Sequence, residues 1–139
     1  MVNDKVRKEK AQRKQEQAEV KERLDWINER YGRVPLVVEM MAKRPDIFLP
    51  YFEFSRLALF EPKNLDRRTL ELATIAAGSA LASEHCLGIH LEQAHNAGAT
   101  DDEIMEALLL GAYMALTKSQ AVAFRMFIQM TDSRKGKAP

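Results

Sequence analysis

The amino-acid sequence predicts an all-α protein of six or seven helices, and three observations support that prediction. No segment sustains the alternation of apolar and polar residues that is typical of a half-buried β-strand. Apolar residues recur instead at helical spacing, as in Val20, Leu24, Ile27 and Tyr31. Residues 1–23 contain no glycine or proline and are rich in Lys, Arg, Glu and Gln, which favour helix.

Length and charge limit the class of protein. A chain of 139 residues is long enough for one domain. Its 21 basic and 20 acidic residues leave a net charge of +1, which argues against a dedicated nucleic-acid binder. The uncharged run at 107–117 is too short to span a bilayer, and the charged residues 1–10 do not resemble a signal sequence. We therefore expect a cytoplasmic protein with no membrane partner.

The N-terminal residues differ in composition from the rest of the chain. Residues 1–20 are predicted to be a charged arm, helical or disordered, with a mildly basic balance. An amphipathic helix is expected over about 18–31, with the arm as its solvated or frayed extension. A contact with another subunit or with nucleic acid remains the alternative role for this arm.

Local signals divide the remaining chain into further helices. Proline and glycine mark the turn at Gly32 and Pro35, Asp66 is a candidate N-cap, and Gly98 suits the residue after a helix end. The predicted helices are Leu36–Lys43, Asp46–Phe60, Arg67–Ala82, Glu84–Ala97, one that begins at the capping box Thr100–Glu103, and Lys118–Met130. The core candidates of the second of these are Phe48, Phe52, Leu57 and Phe60. Together these helices form a domain over 21–131, and residues 132–139 are expected to be a disordered tail.

The side chains that could act as nucleophiles, bases or metal ligands are clustered in one short stretch. All three histidines and the single cysteine lie within residues 83–95. On a helix, Cys86 and His90 lie on one face, one turn apart, whereas His95 is off that stripe. One cysteine also excludes an intramolecular disulfide, a CxxC redox pair and a four-cysteine zinc site.

Cys86 is a candidate nucleophile. If Ser83 is the N-cap, Cys86 is the third helical residue, where the helix dipole and free amides stabilise a thiolate. His90 could accept the thiol proton, and His85 could hydrogen-bond nearby. The alternative is that Cys86 is an inert, buried small residue. A metal site at His85, Cys86 and His90 is disfavoured because adjacent helical residues rarely bind one ion, and we expect no metal or cofactor.

Glu71 is the second candidate. On its helix it shares an apolar face with Ile75, Gly78 and Ala82. A carboxylate there is either buried or at the edge of that face. The alternative is an exposed i, i+4 ion pair with Arg67.

The stretch from Glu71 to Glu103 resembles the AhpD-like / carboxymuconolactone decarboxylase superfamily of small all-helical proteins. Glu71 lies twelve residues before Ser83, and Ser83-Glu84-His85-Cys86 occupies the frame of the superfamily's CxxC motif. His90 follows Cys86 by four residues, and Gly98 follows His90 by eight. The resemblance covers about 100 residues from Tyr31 to the last helix, outside the arm and the tail.

The resemblance implies a hydroperoxide reductase of compact AhpD-like fold. Cys86 would correspond to the cysteine that attacks the peroxide, and Glu71, His85 and His90 to its proton relay. Ser83 stands where the resolving cysteine would be, so an intramolecular disulfide is not available. The implied enzyme is a one-cysteine peroxidase that depends on an external thiol reductant.

Two other functions remain open. The decarboxylase branch acts on a lactone and uses a histidine that corresponds to His90; Arg67, Arg68 and Arg125 are candidates to bind the substrate carboxylates. The third possibility is a non-catalytic interaction subunit. The resemblance further implies a homo-oligomer, a trimer or hexamer, and the small residues in 72–82 and 107–116 are compatible with close packing between chains.

Overall fold

The computed structural model describes residues 2–135, and all regular structure in that range is helical, as predicted. Six α-helices occur there: α1 Val2–Tyr31, α2 Leu36–Ala42, α3 Pro45–Ser55, α4 Arg67–Ala80, α5 Glu84–Asn96 and α6 Asp101–Lys135. A π-helical turn, Arg56–Phe60, continues α3. The chain forms two compact units, an N-terminal unit up to Lys63 and a C-terminal unit from Asn64.

Helix α1 is longer than the amphipathic pattern predicts. It begins at Val2 rather than near residue 18, because helix-favouring residues and i, i+4 contacts continue it without a buried face. Examples are the hydrogen bonds from Gln12 to Glu16 (2.9 Å) and from Gln15 to Glu19 (3.2 Å). The predicted apolar stripe begins at Val20 and so lies in the second half of α1, where Val20 and Ile27 are its buried members.

The core of the N-terminal unit lies between α1 and α3. Val20 and Ile27 are buried with Phe48 and Phe52, as predicted for these apolar positions. Leu57 is exposed instead of buried, because it lies in the π-helical turn, whose wider spacing does not keep it on the face of Phe48 and Phe52.

Aromatic rings reinforce that core. The Trp26 ring lies edge-on to Phe52 at 5.4 Å and to Phe60 at 4.8 Å, and the Arg30 guanidinium lies 4.3 Å from the Trp26 centroid. A groove of about 450 Å³ beside Trp26 and Phe52 contains none of the predicted site residues.

The C-terminal unit consists of α4, α5 and α6 around a core of small and branched side chains. The buried members are Ile75, Ala94, Ala99, Ile104 and Ala107. Helices α4 and α6 approach closely because Gly111 faces the carbonyl of Ala76, and the Ser79 hydroxyl donates to the Leu108 carbonyl (2.8 Å). Small residues therefore set the spacing between these two helices.

Helix α6 corrects two predictions. It begins at the predicted capping box, in which the Thr100 amide donates to Glu103 Oε2 (2.9 Å) and the Glu103 amide donates to Thr100 Oγ1 (3.3 Å). It then continues to Lys135, so the separate helix Lys118–Met130 is wrong, and residues 132–135 of the predicted disordered tail are helical. The sequence has no proline or terminal glycine near 118 to end the helix. The rest of the tail, 136–139, lies outside the described residues.

The second half of α6 is apolar and exposed. Residues 118–130 contain no buried side chain. Within the described range, α6 is the one helix long and apolar enough to cross a membrane by length and composition, over Asp101–Arg134. Only 11% of its apolar 18-residue stretch is buried, and a single helix of this kind does not by itself show a membrane span.

We predict that Gly111→Ala lowers the free energy of unfolding by about 1–3 kcal/mol, as expected for an overpacked contact. The added Cβ would lie 2.1 Å from the Ala76 carbonyl oxygen, so α4 and α6 must separate. The matched control is Gly88→Ala in α5, where the new Cβ meets nothing within 4 Å. That variant should gain about 0.5–1 kcal/mol from helix propensity. Urea unfolding measures both, and equal effects of the two substitutions would contradict the close approach.

Candidate functional site

The link between α4 and α5 is short and well defined. The Ala82 amide donates to the Ser79 carbonyl (3.1 Å) and the Ser83 amide to the Gly78 carbonyl (2.9 Å), which is a Schellman ending. Ala82 has φ 51°, a left-handed conformation that costs about 1–2 kcal/mol for a residue with a Cβ. This turn makes α5 begin immediately after α4 ends.

Ser83 caps α5, as predicted. Its hydroxyl oxygen accepts from the Cys86 amide at 3.4 Å, so Cys86 is the third residue of the helix. Gly78 of α4 allows close approach here, since a Cβ on it would lie 3.2 Å from a methyl group of Leu87. The cap and the close approach fix the position of Cys86 against α4.

Cys86 is exposed, so the alternative that it is an inert, buried small residue is wrong about its burial. In the described part of the chain its thiol forms no hydrogen bond, including none with His90. Cys86 and His90 share a face of α5 through their i, i+4 spacing, and Cys86 lies in the first turn of that helix. The site therefore combines an accessible sulfur with a histidine one turn further along the helix.

Glu71 and His90 form a buried pair across the α4–α5 hairpin. Glu71 Oε2 and His90 Nδ1 are 2.7 Å apart, and their side chains are 1% and 10% exposed. Glu71 Oε1 forms an ion pair with the Arg67 guanidinium. Each alternative for Glu71 is therefore partly right. The carboxylate is buried, as the first alternative states, and it is paired with Arg67, as the second states.

The pair determines what His90 can do. Glu71 Oε1 faces the Arg67 guanidinium, and a carboxylate paired in this way accepts hydrogen bonds, so the geometry assigns His90 Nδ1 as the donor to Oε2. The Nε2 atom then retains a lone pair that can take a proton from a substrate or thiol. This arrangement is an oriented base in a largely buried position.

The other candidates lie apart from this pair. His85 is exposed, and within residues 4–134 no hydrogen bond or ion pair joins it to Glu71 or His90. His95 Nε2 lies 3.4 Å from Asp101 instead. In the same range, no group of three or more His, Cys, Asp or Glu residues is arranged to hold a metal ion.

The three candidate arginines have different partners. Arg68 Nε donates to Glu103 Oε2 (3.1 Å), and Arg125 lies on the exposed half of α6. Arg67 alone of the three reaches Glu71. The signal in the sequence was the i, i+4 spacing of Arg67 and Glu71, which by itself does not distinguish a surface pair from a buried one.

Comparison with known families shows which family the chain belongs to. The sequence profile of the carboxymuconolactone decarboxylase family matches residues 45–129, more than half of the chain. The chain belongs to that family. The match begins at α3 and includes Glu71, Cys86 and His90, which confirms the resemblance inferred from their spacing. No curated protein and no solved structure matches the chain.

We predict that acid weakens α4 through Asp66, the N-cap five residues before Glu71. The Thr69 amide (2.8 Å) and hydroxyl (2.9 Å) donate to Asp66 and hold the pKa of its carboxyl below the usual value. Because the folded pKa is below the unfolded value of about 3.9, this stabilisation is complete above the unfolded pKa and is lost as the pH falls through the folded pKa.

Asp66→Asn supplies the test, since asparagine also caps helices but does not titrate. Thermal unfolding between pH 2 and 7 should show wild type losing more stability in acid than Asp66→Asn. Asp66→Ala should be less stable than Asp66→Asn across the range. Parallel curves for wild type and Asp66→Asn would contradict the role of the charge.

Proposed function

We propose that the protein is a one-cysteine, thiol-dependent hydroperoxide reductase of the AhpD-like type. The observation that supports it best is the buried Glu71–His90 pair one helical turn from the exposed Cys86 thiol. Family membership supports the coarser part of the proposal, a small helical protein of a family that includes enzymes. The peroxidase activity itself is our proposal.

The proposed reaction has two halves. His90 Nε2 takes the thiol proton, and the Cys86 thiolate attacks the outer oxygen of the hydroperoxide. The O–O bond breaks, Cys86 becomes a sulfenic acid, and the proton from His90 goes to the leaving alkoxide, which departs as an alcohol. Glu71 supports the imidazolium that forms between these steps.

The second half requires an external thiol. Ser83 cannot form a disulfide with Cys86, so a thiol reductant attacks the sulfenic sulfur and releases water. A second reductant thiol then displaces Cys86 from the mixed disulfide. Because such thiols stay reduced in the cytoplasm, we propose that compartment for the protein.

A carboxymuconolactone decarboxylase-like lyase is the second candidate. The observation in its favour is the fixed His90 imidazole, which could donate or accept a proton on a lactone substrate without the thiol. Arg67 is already paired with Glu71, so the groups that would bind the substrate carboxylates are not apparent on α4. A non-catalytic interaction subunit would need neither Cys86 nor His90 to react.

The first test follows Cys86 directly. Reduced protein is mixed with one equivalent of an organic hydroperoxide and a sulfenic-acid trap, and adduct formation is followed by intact mass. Wild type should react much faster than free cysteine, and Cys86→Ser should form no adduct. His90→Gln should slow the reaction by about 100-fold or more, because general base catalysis is lost. His95→Gln, a histidine of the same helix outside the pair, should react like wild type.

The results separate the candidates. A wild-type rate equal to that of free cysteine, or full peroxide turnover in Cys86→Ser, would rule out the thiol mechanism. Lactone decarboxylation that is lost in His90→Gln but retained in Cys86→Ser would favour the lyase. An unreactive thiol together with no lactone turnover would favour the interaction subunit.

We also propose that the protein is a homo-oligomer, a trimer or hexamer, formed through the second half of α6. Six large apolar side chains there are 43–65% exposed: Val122, Phe124, Met126, Phe127, Ile128 and Met130. A contiguous apolar surface of this kind on a soluble protein usually marks an interface. The two charged side chains within 118–130, Lys118 and Arg125, do not divide this surface.

Light scattering should therefore give a mass of three or six times the 15.8 kDa of one chain. Phe127→Glu should reduce that mass to a monomer, because a buried charge at an interface is unfavourable. Phe54→Glu in α3 is the matched control, since Phe54 is an exposed phenylalanine outside α6, and it should leave the mass unchanged. A monomeric wild type, or binding of wild type to lipid vesicles through α6, would contradict the proposal.

A further inference from the structure

Among the described residues, Arg67 is the one charged group that contacts the buried carboxylate from outside the Glu71–His90 pair. It is the first residue of α4, and its guanidinium reaches Glu71 one turn later. The Arg67 side chain is 34% exposed, whereas the Glu71 side chain is 1% exposed. The ion pair thus joins the solvent-facing edge of α4 to its buried face.

Glu71 needs this partner for a physical reason. A carboxylate removed from water is strongly destabilised unless opposite charge and hydrogen bonds compensate it. Oε2 is occupied by His90 Nδ1, and Oε1 accepts no hydrogen bond of good geometry within the described residues. The Arg67 guanidinium is therefore the compensating charge at Oε1.

We propose that Arg67 is the positioning residue of this site. It pairs with Oε1 of the buried Glu71 carboxylate and keeps the carboxylate turned so that Oε2 accepts from His90 Nδ1, which leaves His90 Nε2 as the reactive atom. Arg67 does not touch the thiol or the substrate in this proposal and acts through Glu71. The inference rests on the proposed function for its catalytic consequence, although its effect on the His90 ring is independent of that function.

Other charged side chains near the site pair with partners other than Glu71. On α4, the adjacent Arg68 is paired with Glu103 of α6 rather than with Glu71. At the other end of α5, His95 faces Asp101 of α6. On α5 itself, the exposed Cys86 is the group on the same face as His90. Glu71 and Arg67 are thus the charged groups that act on His90 from α4, and no described side chain of α6 forms an ion pair with His90.

Three variants test the proposal. Arg67→Met removes the charge and the donor, Arg67→Lys keeps a positive charge, and Arg68→Met is the matched control on the same helix. Nitrogen NMR of labelled histidine reports which ring nitrogen of His90 carries the proton, a signature that general loss of stability does not produce. The rate of hydroperoxide reaction at Cys86 is the second readout.

Wild type, Arg67→Lys and Arg68→Met should show His90 protonated at Nδ1. Arg67→Met should show a mixture of the two neutral ring forms, and its reaction with hydroperoxide should slow by about tenfold or more because the base is no longer oriented. Arg67→Lys should recover most of the wild-type rate. If Arg67→Met does not fold, Arg67→Gln, which keeps a donor but no charge, replaces it in both measurements.

The two proposals fail in different ways. An Arg67→Met protein with the wild-type His90 signal and rate would overturn the role of Arg67, even if Cys86 is a fast peroxidatic thiol. An unreactive wild-type thiol would overturn the peroxidase proposal, and the NMR comparison would still decide whether Arg67 orients His90.

Discussion

The C-terminal unit depends on enclosing one carboxylate between α4 and α5. Glu71 is 1% exposed, in a helix whose other buried residues are Leu70, Ile75 and Gly78. A charge in that position is tolerated only with Arg67 on one oxygen and His90 on the other. The hairpin must therefore close in a single register, because a shift of α5 along α4 would separate His90 from Glu71. The same register brings Cys86 against Gly78.

The elements that could be predicted are those with local signals. Ser83, Asp66 and Thr100 were identified as caps because a hydroxyl or carboxylate satisfies free amides within three residues. Gly98 has φ 83°, as expected for the residue that ends α5. Helix ends without such signals are less certain from the sequence. Helix α1 begins at Val2, which agrees with the helical alternative for the arm, because favourable propensity needs no apolar stripe. Helix α6 continues past residue 118, against the prediction, because nothing terminates it.

Only part of the candidate site can be predicted from the sequence. The spacing within α5 suffices to place Cys86 and His90 on one face, since helical geometry relates residues four apart. The contact between Glu71 and His90 spans 19 residues and depends on how two helices pack, which periodicity does not encode. The family resemblance suggested that Glu71 and His90 act together, and the structure adds Arg67 as the third member and leaves His85 outside the group.

The capping role of Ser83 limits which side chains residue 83 can carry. In the CxxC frame, the position that would need sulfur to form a disulfide is the one whose oxygen accepts from the Cys86 amide. Sulfur is a much weaker acceptor than a hydroxyl oxygen, and cysteine is not a favoured N-cap. A cysteine in place of Ser83 would weaken the start of the helix that positions Cys86. In this chain, residue 83 cannot both cap α5 with a hydroxyl oxygen and supply the thiol that a two-thiol catalytic cycle needs.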